Sequence, residues 1–369
     1  MTHSPHDRAA VPRSWPVTCT LCRQLPRSQK GFLHLHWRNW ISAAPATLDR
    51  HAATPAHGGD WPRPAGPAPA TPSPRKRGPM TLPFPVPHRL FGVEHHFREL
   101  GAAQIHYVTA GSGETALLLH GNPSWSFLYR KIIAGLKDEF RCVAPDFPGY
   151  GMSTAAPGFS FLPREQSQLL ERLAGELGLT NITLMVQDWG GPIGLGFAAR
   201  RPELITRLII GNTWAWPLDH EPRVRAFSWL MGGPIGRTLT RGFNFVPRFF
   251  LRRGFAQPVT REVRDLYLAP WRDPHRRAPA VIAPRQLIAA SEYAREVEAG
   301  LPTLAGRPTL IVWGERDFAF RQTERERFES AFPHHQTVLY PDASHFLQED
   351  VGDRIAEQIK AFRADTAIG

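Results

Sequence analysis

The chain has 369 residues, of which 42% are hydrophobic and 21% charged, which is enough for one large α/β domain or two smaller ones with a sizeable core. The net charge of +11 is concentrated at one end, because residues 1–79 contain 11 of the 44 Lys and Arg but only 3 of the 33 Asp and Glu. The rest of the chain is nearly neutral, which argues against a nucleic-acid partner, and no stretch is apolar over the length that a membrane span requires.

Residues 1–79 are predicted to form a disordered leader. They contain 13 of the 36 prolines, and proline both fixes φ and removes a backbone donor, so neither helices nor strands are favoured. The segment lacks the apolar region of a secretory signal, and its Arg-rich, acid-poor composition faintly resembles a transit peptide. The simpler expectation is that translation begins at Met80.

The three cysteines do not suggest a disulfide framework. Cys19 and Cys22 form a C-x-x-C pair, but His34 and His36 follow too closely for a typical zinc site, and no apolar core accompanies them. We therefore predict that the protein holds no metal, and we expect no cofactor. With so few cysteines, a reducing cytoplasm is the expected compartment.

From residue 80 onward, short apolar runs bounded by Gly or Pro alternate with helical patterns. Runs of this kind indicate strands buried on both faces, and hence a mostly parallel central sheet flanked by helices. Ligands of such sheets bind at the carboxyl ends of the strands. Strands are predicted at 104–109, 115–119, 141–144, 182–186, 205–211, 309–314 and 336–340, and helices at 125–136, 166–177, 192–200, 324–332 and 349–362.

The α/β pattern is interrupted at 214–301, which shows little strand patterning and interleaves aromatic residues with arginines. We interpret this segment as a helical cap, or lid, over the strand ends, and we assign 80–213 and 302–369 to the core. Most of the aromatic residues are expected to fill the small core of the cap itself, and the arginines to form a solvated face. The aromatic residues concerned are Trp216, Phe227, Trp229, Phe243, Phe245, Phe249, Phe250, Phe255 and Trp271.

The most informative stretch is Leu184-Met185-Val186-Gln187-Asp188-Trp189-Gly190-Gly191-Pro192-Ile193-Gly194, which predicts a strand, a sharp turn and a helix. In such a turn the central residue, here Asp188, projects from the end of the strand. A carboxylate held there beside backbone N–H groups can act as an oxygen nucleophile toward carbon. Asp188 is equally open to interpretation as the N-cap of the helix that follows.

Three further loops at predicted strand ends carry polar residues. They read His120-Gly121-Asn122-Pro123, Glu315-Arg316-Asp317 and Asp342-Ala343-Ser344-His345. With Asp188 they give the order nucleophile, acid, histidine, which is the order used by the α/β-hydrolase fold. Each residue alone could be an ordinary turn residue or a solvated charge. Together they predict that His345 is a base oriented by Asp317, although Glu315 lies close enough in sequence to replace Asp317.

An aspartate nucleophile narrows the reaction. A carboxylate can displace a leaving group from saturated carbon and form an alkyl ester on the enzyme. His345 would then deprotonate a water that attacks the ester carboxyl, while Asp317 holds the imidazole. The backbone N–H groups of Trp189 and Asn122 are the expected donors to the oxyanion.

These residues resemble the haloalkane dehalogenases of the α/β-hydrolase superfamily. The similarity covers about 85–365 and rests on His120-Gly121-Asn122-Pro123-Ser124-Trp125-Ser126-Phe127-Leu128-Tyr129-Arg130 and Gln187-Asp188-Trp189-Gly190-Gly191-Pro192. It implies that the side-chain N–H groups of Trp189 and Asn122 bind the halide.

The resemblance also bears on the catalytic acid, which lies in some family members after the strand preceding the lid and in others after the strand following it. The sequence at the first place, Gly211-Asn212-Thr213-Trp214, has no carboxylate. This resembles the subset that pairs an Asn–Trp halide site with an acid at the later place, here Asp317. The implied substrates are a small halogenated hydrocarbon and water, and the products an alcohol and halide. The oligomeric state stays open.

Two alternatives remain at this point. An epoxide hydrolase shares the fold and the Asp-Trp-Gly-Gly nucleophile but needs an acid for its alkoxide leaving group, usually supplied by lid tyrosines, and the cap contains Tyr267 and Tyr293. A non-catalytic binding protein could keep the hydrolase shell and use its cationic cap to meet an acidic surface. Such a protein usually loses part of the catalytic set, and no part is missing from this sequence.

Overall fold

The structure is a computed structural model, and it describes residues 82–366 of the chain. The predicted leader, with Cys19 and Cys22, lies outside the described residues. Among the described residues, no helix is both long and apolar enough to cross a bilayer.

The centre of the fold is a nine-stranded sheet in the order β1-β2-β4-β3-β6-β7-β8-β9, with β5 paired to β2. β3, β4 and β6 to β9 run parallel to one another, whereas β2 pairs antiparallel with β1, β4 and β5. The predicted mostly parallel sheet is confirmed. The strands are β1 (Glu94–Leu100), β2 (Ala103–Ala110), β3 (Glu114–Leu119), β4 (Phe140–Pro145), β5 (Thr154–Ala155), β6 (Ile182–Asp188), β7 (Ile205–Thr213), β8 (Thr309–Gly314) and β9 (His335–Tyr340).

Eleven α-helices lie between residues 82 and 366, in addition to short 3-10 turns. Five of them belong to the alternating α/β pattern and six lie together between β7 and β8. The first group is α1 (Arg130–Leu136), α2 (Pro163–Glu176), α3 (Gly190–Arg200), α10 (Gln322–Ala331) and α11 (Leu347–Asp365); the second is α4 (Pro222–Gly232), α5 (Pro234–Phe243), α6 (Phe245–Arg253), α7 (Arg261–Leu268), α8 (Ala278–Ala289) and α9 (Ser291–Gly300).

The sheet is covered on both faces, as the apolar runs of its strands require. Successive side chains of a strand point to opposite faces, so Leu117 and Leu119 of β3 join the core beneath α2 and α3, whereas Ala116 and Leu118 join the core beneath α1 and α11. All residues of β6, β7 and β8 are buried. The strand ends that carry the predicted site are thus held in a rigid layer.

The aromatic residues between β7 and β8 do not all behave as expected. Trp216 and Trp271 are buried, but the expectation that most of the nine fill a local core is wrong for Trp229, Phe243, Phe245 and Phe249, which are exposed. The helical character predicted for this segment agrees with α4 to α9. Its assignment as a separate cap with bounds 214–301 stays a prediction.

Candidate active site

The loops named from the sequence meet at one edge of the sheet. β3, β6, β7, β8 and β9 are consecutive neighbours, and because the central strands are parallel, their carboxyl ends lie together.

Asp188 is the last residue of β6 and adopts a left-handed backbone, with φ of +48°. Such a conformation is unusual for a residue with a side chain and marks a tight, strained turn. The glycines that follow allow the close approach of α3 to the sheet: a Cβ on Gly190 would lie 2.9 Å from the carbonyl oxygen of His120. The N-cap interpretation of Asp188 finds no support, since the residue before α3 is Trp189 and no side-chain capping bond is present.

The carboxylate of Asp188 is buried and instead accepts backbone hydrogen bonds. The N–H of Asn122 donates to Oδ1 over 2.6 Å, and the nearby N–H of Trp189 helps to lower the pKa of this carboxylate. The other oxygen, Oδ2, lies 3.8 Å from Nε2 of His345. One oxygen therefore lies among amide donors and the other faces the imidazole.

His345 and Asp317 are in direct contact. Nδ1 of His345 lies 3.1 Å from Oδ2 of Asp317, and both side chains are fully buried. The second carboxylate oxygen accepts the N–H of Ala319 over 2.7 Å. Glu315, the alternative acid, is exposed. The structure therefore brings Asp317, and not Glu315, to the imidazole.

Asn212 also contacts the acid. Its Nδ2 donates to Oδ2 of Asp317 over 2.9 Å, and its Oδ1 accepts the N–H of Gly314 over 2.7 Å. The sequence indicated only that this position lacks a carboxylate. Its amide links the end of β7 to the end of β8 and bonds to the same carboxylate oxygen that the imidazole contacts.

The charges of the site shift the pKa values of its groups. Burial raises the pKa of Asp188, against the opposing effects of His345 and the N–H groups of Trp189 and Asn122. Burial alone would lower the pKa of His345, but the negative charges of Asp317 and Asp188 outweigh it, so that pKa lies above its ordinary value. The imidazolium is therefore stabilised as long as both carboxylates are ionised.

A cavity of about 180 Å³ opens onto Asp188. Apart from that carboxylate, Arg223 and the donors Asn122 and Trp189, its lining is apolar. Within residues 82–366, neither Nδ2 of Asn122 nor Nε1 of Trp189 donates a hydrogen bond to the protein. The remaining lining residues are Leu218, Val224, Phe227, Phe250, Pro284, Leu287, Phe318, Ala319 and Phe320.

The side chain of Tyr150 lies beside the Asn122 amide. Its buried hydroxyl donates to Oδ1 of Asn122 over 3.4 Å. The N–H groups of that amide can then donate to a ligand in the cavity. Tyr150 is not among the residues predicted from the sequence, although the turn Pro148-Gly149-Tyr150-Gly151 follows β4 at an end of the sheet where site residues are expected.

The two cap tyrosines lie elsewhere. The hydroxyl of Tyr267 donates to Oε2 of Glu349 over 2.8 Å, and that of Tyr293 donates to the carbonyl of Pro192 over 2.9 Å. Neither residue lines the cavity. His120 is likewise structural, since its Nδ1 contacts the carbonyl of Gly121 and its Nε2 accepts the N–H of Phe147.

Comparison with known proteins agrees with this geometry. A family model of the alpha/beta hydrolase fold matches residues 116–350. A haloalkane dehalogenase 2 of Mycobacterium tuberculosis is 38% identical over 285 residues, which cover 76% of this chain and 98% of the relative. A cis-3-alkyl-4-alkyloxetan-2-one decarboxylase of Shewanella oneidensis is 34% identical over 287 residues, covering 75% of this chain and 90% of the relative.

A solved structure is similar as well. The haloalkane dehalogenase DatA of Agrobacterium tumefaciens matches with a TM-score of 0.69 at 26% identity, over 76% of this chain and 100% of that chain. Sequence and fold lead to the same conclusion: this chain is an α/β-hydrolase-fold protein and belongs to the haloalkane dehalogenase family.

Proposed function

We propose that the protein hydrolyses haloalkanes to an alcohol and halide, with Asp188 as nucleophile, His345 as base and Asp317 as the residue that orients it. The observation that carries this proposal is the pair of free side-chain donors, on Trp189 and Asn122, in an otherwise apolar cavity beside a buried carboxylate. Halide is a weak base that leaves without a proton, and it needs only N–H donors around it.

In the first step, Oδ2 of Asp188 attacks the carbon that bears the halogen. A C–O bond forms while the C–X bond breaks, and its electron pair leaves with the halide. The indole N–H of Trp189 and the amide N–H of Asn122 stabilise the negative charge that develops on the halogen. The product of this step is an alkyl ester of Asp188.

In the second step, His345 takes a proton from a water that attacks the carboxyl carbon of the ester. The negative charge then forms on Oδ1, which already accepts the N–H of Asn122, and the N–H of Trp189 is the second expected donor. Collapse of this intermediate releases the alcohol and restores the carboxylate, with one oxygen derived from water. The net products are the alcohol, halide and one proton.

Ester formation prepares His345 for its role. The charge of Asp188 helps to raise the pKa of His345, and esterification removes that charge. The pKa of the imidazole therefore falls when a neutral base is needed. Asp317 keeps its charge throughout and stabilises the imidazolium that forms next.

We also propose that 214–301 acts as the cap of this site. Arg223, Val224 and Phe227 of α4, Phe250 of α6 and Leu287 of α8 line the cavity opposite the strand ends. Their apolar surface excludes water from the alkylation step, which favours displacement over solvation of the nucleophile. With only three cysteines, the sequence does not suggest a disulfide framework, and this supports a cytoplasmic location.

The decisive experiment uses the variant His345→Gln with 1-bromobutane. We expect a mass gain equal to one butyl group, located on Asp188 by peptide mapping, because displacement continues while ester hydrolysis has lost its base. The double variant Asp188→Asn/His345→Gln is the matched control and should gain no mass. An adduct on any other residue, or none at all, contradicts the mechanism.

The epoxide hydrolase alternative is less well supported. It requires an acid near the leaving oxygen, and the hydroxyls of Tyr267 and Tyr293 are engaged with Glu349 and Pro192 instead. A non-catalytic role is less well supported too, because nucleophile, base, acid and donors are all present in one arrangement.

A second candidate function follows from the decarboxylase relative. Its name describes the loss of CO₂ from a cis-3-alkyl-4-alkyloxetan-2-one, a strained cyclic ester that also carries two alkyl chains suited to an apolar cavity. Parallel assays distinguish the two reactions. One assay measures bromide release from 1-bromoalkanes and the other measures CO₂ release from the oxetanone. The reaction with the larger kcat/KM is the better supported function.

A further inference from the structure

The outer surface of α4, α5 and α6 is unusually apolar. These three helices follow one another with single residues, Gly233 and Asn244, between them. Among the described residues, eight large hydrophobic side chains are exposed, and six of them lie on these helices. Trp229 is 80% exposed, and Ile235 and Phe243 are each 70% exposed; the others are Leu230, Phe245 and Phe249. Concentrated exposure of this kind marks an interaction surface.

These side chains are not displaced members of a local core. On α6, Val246, Phe250 and Leu251 are buried beneath the helix, whereas Phe245 and Phe249 stack on its outer side with ring centroids 6.0 Å apart. The helix therefore has one apolar face for the protein interior and additional apolar side chains that face outward. Exposure of these apolar side chains to water is unfavourable, so the surface would be stabilised by a partner that covers them.

The same surface is strongly cationic. Residues 222–253 contain seven arginines and neither Lys, Asp nor Glu. Within the part of the chain that the structure describes, none of the seven guanidinium groups forms an ion pair. Exposed arginines elsewhere do pair, as Arg164 does with Glu296 and Arg354 with Asp342. The seven are Arg223, Arg225, Arg237, Arg241, Arg248, Arg252 and Arg253.

We propose that this α4–α6 surface, formed by the exposed side chains of 222–253, docks onto an anionic phospholipid bilayer. Aromatic and aliphatic side chains on a basic helical surface enter the boundary between headgroups and acyl chains, while arginines extend to the phosphates. The cytoplasmic leaflet carries the negative surface potential that such a surface requires. Docking of this kind needs no transmembrane helix.

A second copy of the chain is a poorer occupant. In a two-fold contact the same surface meets itself, so seven arginines would face seven others with no carboxylate between them. Outside this surface, residues 80–369 contain 26 Lys and Arg and 30 Asp and Glu, and this acidic excess of four does not match seven arginines. A bilayer supplies both features that the surface lacks, an apolar layer and a dense array of anions.

The α4–α6 surface lies next to the cavity. Arg223, Val224 and Phe227 of α4 and Phe250 of α6 belong to the cavity lining, while Phe249 packs against Phe318 at its rim, with ring centroids 6.1 Å apart. Docking through these helices brings the cavity to the membrane, where apolar molecules accumulate. The docking itself does not depend on which reaction the cavity performs.

The test is flotation of the full chain with vesicles of phosphatidylcholine and phosphatidylglycerol. We expect binding at low salt that weakens strongly at high salt. The variant Arg248→Gln/Arg252→Gln/Arg253→Gln should bind about a hundredfold more weakly. The control Arg98→Gln/Arg327→Gln/Arg354→Gln removes the same charge elsewhere and should bind like the parent. Residues 1–79 are also basic and could bind vesicles by themselves. The test is therefore the comparison of the two triple variants, and not vesicle binding by the parent alone.

A second pair of variants tests the apolar contribution. Trp229→Ser/Phe243→Ser should reduce partitioning roughly tenfold, while Leu162→Ser/Leu339→Ser, which alters exposed apolar residues outside the surface, should not. Thermal unfolding establishes that each variant is folded. Undiminished vesicle binding by both surface variants overturns the proposal. The proposal is also overturned if the parent does not bind vesicles but sediments as a dimer, and if Trp229→Ser/Phe243→Ser abolishes that dimer.

Discussion

At the scale of single residues, we predict that the hydroxyl of Tyr150 controls which atoms of the Asn122 amide face the cavity. Among the described residues, it is the one donor to Oδ1 of that amide. In Tyr150→Phe the amide is free to rotate and present its oxygen to the halide, so we expect alkylation to slow by about tenfold, less than the 10²–10³ cost of losing a donor outright. The rate of adduct formation in the His345→Gln background measures this.

Tyr293→Phe is the matched control for that experiment. Its hydroxyl donates to Pro192, away from the cavity, so adduct formation should proceed at the parent rate. Ester hydrolysis in the Tyr150→Phe enzyme should also be unaffected, because the oxyanion donor is the backbone N–H of Asn122. Equal alkylation rates in Tyr150→Phe and Tyr293→Phe would mean that the Tyr150 contact does not orient the amide.

The coupling between Asp188 and His345 predicts a specific pH dependence. In the proposed mechanism alkylation requires ionised Asp188. Burial raises the pKa of Asp188, while the positive charge of His345 opposes that rise. In His345→Gln this opposition is lost and the pKa of Asp188 rises further. The acid-side decline in alkylation should therefore move to higher pH than in the parent, as followed by stopped-flow halide release. A shift toward lower pH would show that the imidazole does not stabilise the carboxylate.

At the scale of elements, the sequence predicted what depends on local pattern. β3 and β6 to β9 are recognisable as apolar runs, and the polar residues at or just after their ends include the proposed site residues Asp188, Asp317 and His345. β1 was missed, because its sequence EHHFREL is polar and partly exposed and shows no apolar run. The beginning of α3 was placed two residues late, at Pro192, because paired glycines indicate a turn.

Features that depend on three-dimensional contacts could not be predicted in this way. The bond from Asn212 to Asp317 links residues 105 positions apart, and no periodicity indicates it. The aromatic residues of α4 to α6 are of types that usually fill a hydrophobic core. Only the packing of the helices decides which of them are buried and which are exposed.

The turn between β6 and α3 permits a test of how closely these elements approach. A Cβ at Gly190 meets backbone atoms of Leu119 and His120, which cannot rotate away. Gly190→Ala should therefore destabilise the protein by about 2–3 kcal/mol and disturb Asp188. Gly175→Ala in α2, where the new Cβ meets nothing within 4 Å, should be neutral or stabilise by about 0.5–1 kcal/mol. Urea unfolding compares the two, and similar losses in both would contradict the steric explanation.

At the scale of the whole molecule, the sheet core and the helices inserted between β7 and β8 are joined by a buried polar cluster. Glu349 of α11 accepts hydrogen bonds from Arg130 of α1, over 2.6 Å to Oε1, and from Tyr267 of α7, over 2.8 Å to Oε2. Burial would raise the pKa of Glu349, but Arg130 and Tyr267 outweigh it and hold that pKa below its ordinary value. The carboxylate thus stabilises the fold in its ionised form.

The sign of this pKa shift determines how stability depends on pH. A depressed carboxyl pKa contributes stability above the unfolded value of about 4.3 and loses it as pH falls through the folded value. Glu349→Gln leaves Arg130 buried without its counter-ion and should cost about 3 kcal/mol at neutral pH. Once the pH falls below the depressed folded pKa of Glu349, the parent is itself protonated there, so the two urea midpoints should converge in acid. The exposed neighbour Glu357 on the same helix serves as control, since Glu357→Gln should follow the parent throughout. If Glu349→Gln remains less stable than the parent by the same amount in acid, the loss of stability comes from altered packing and not from the lost charge.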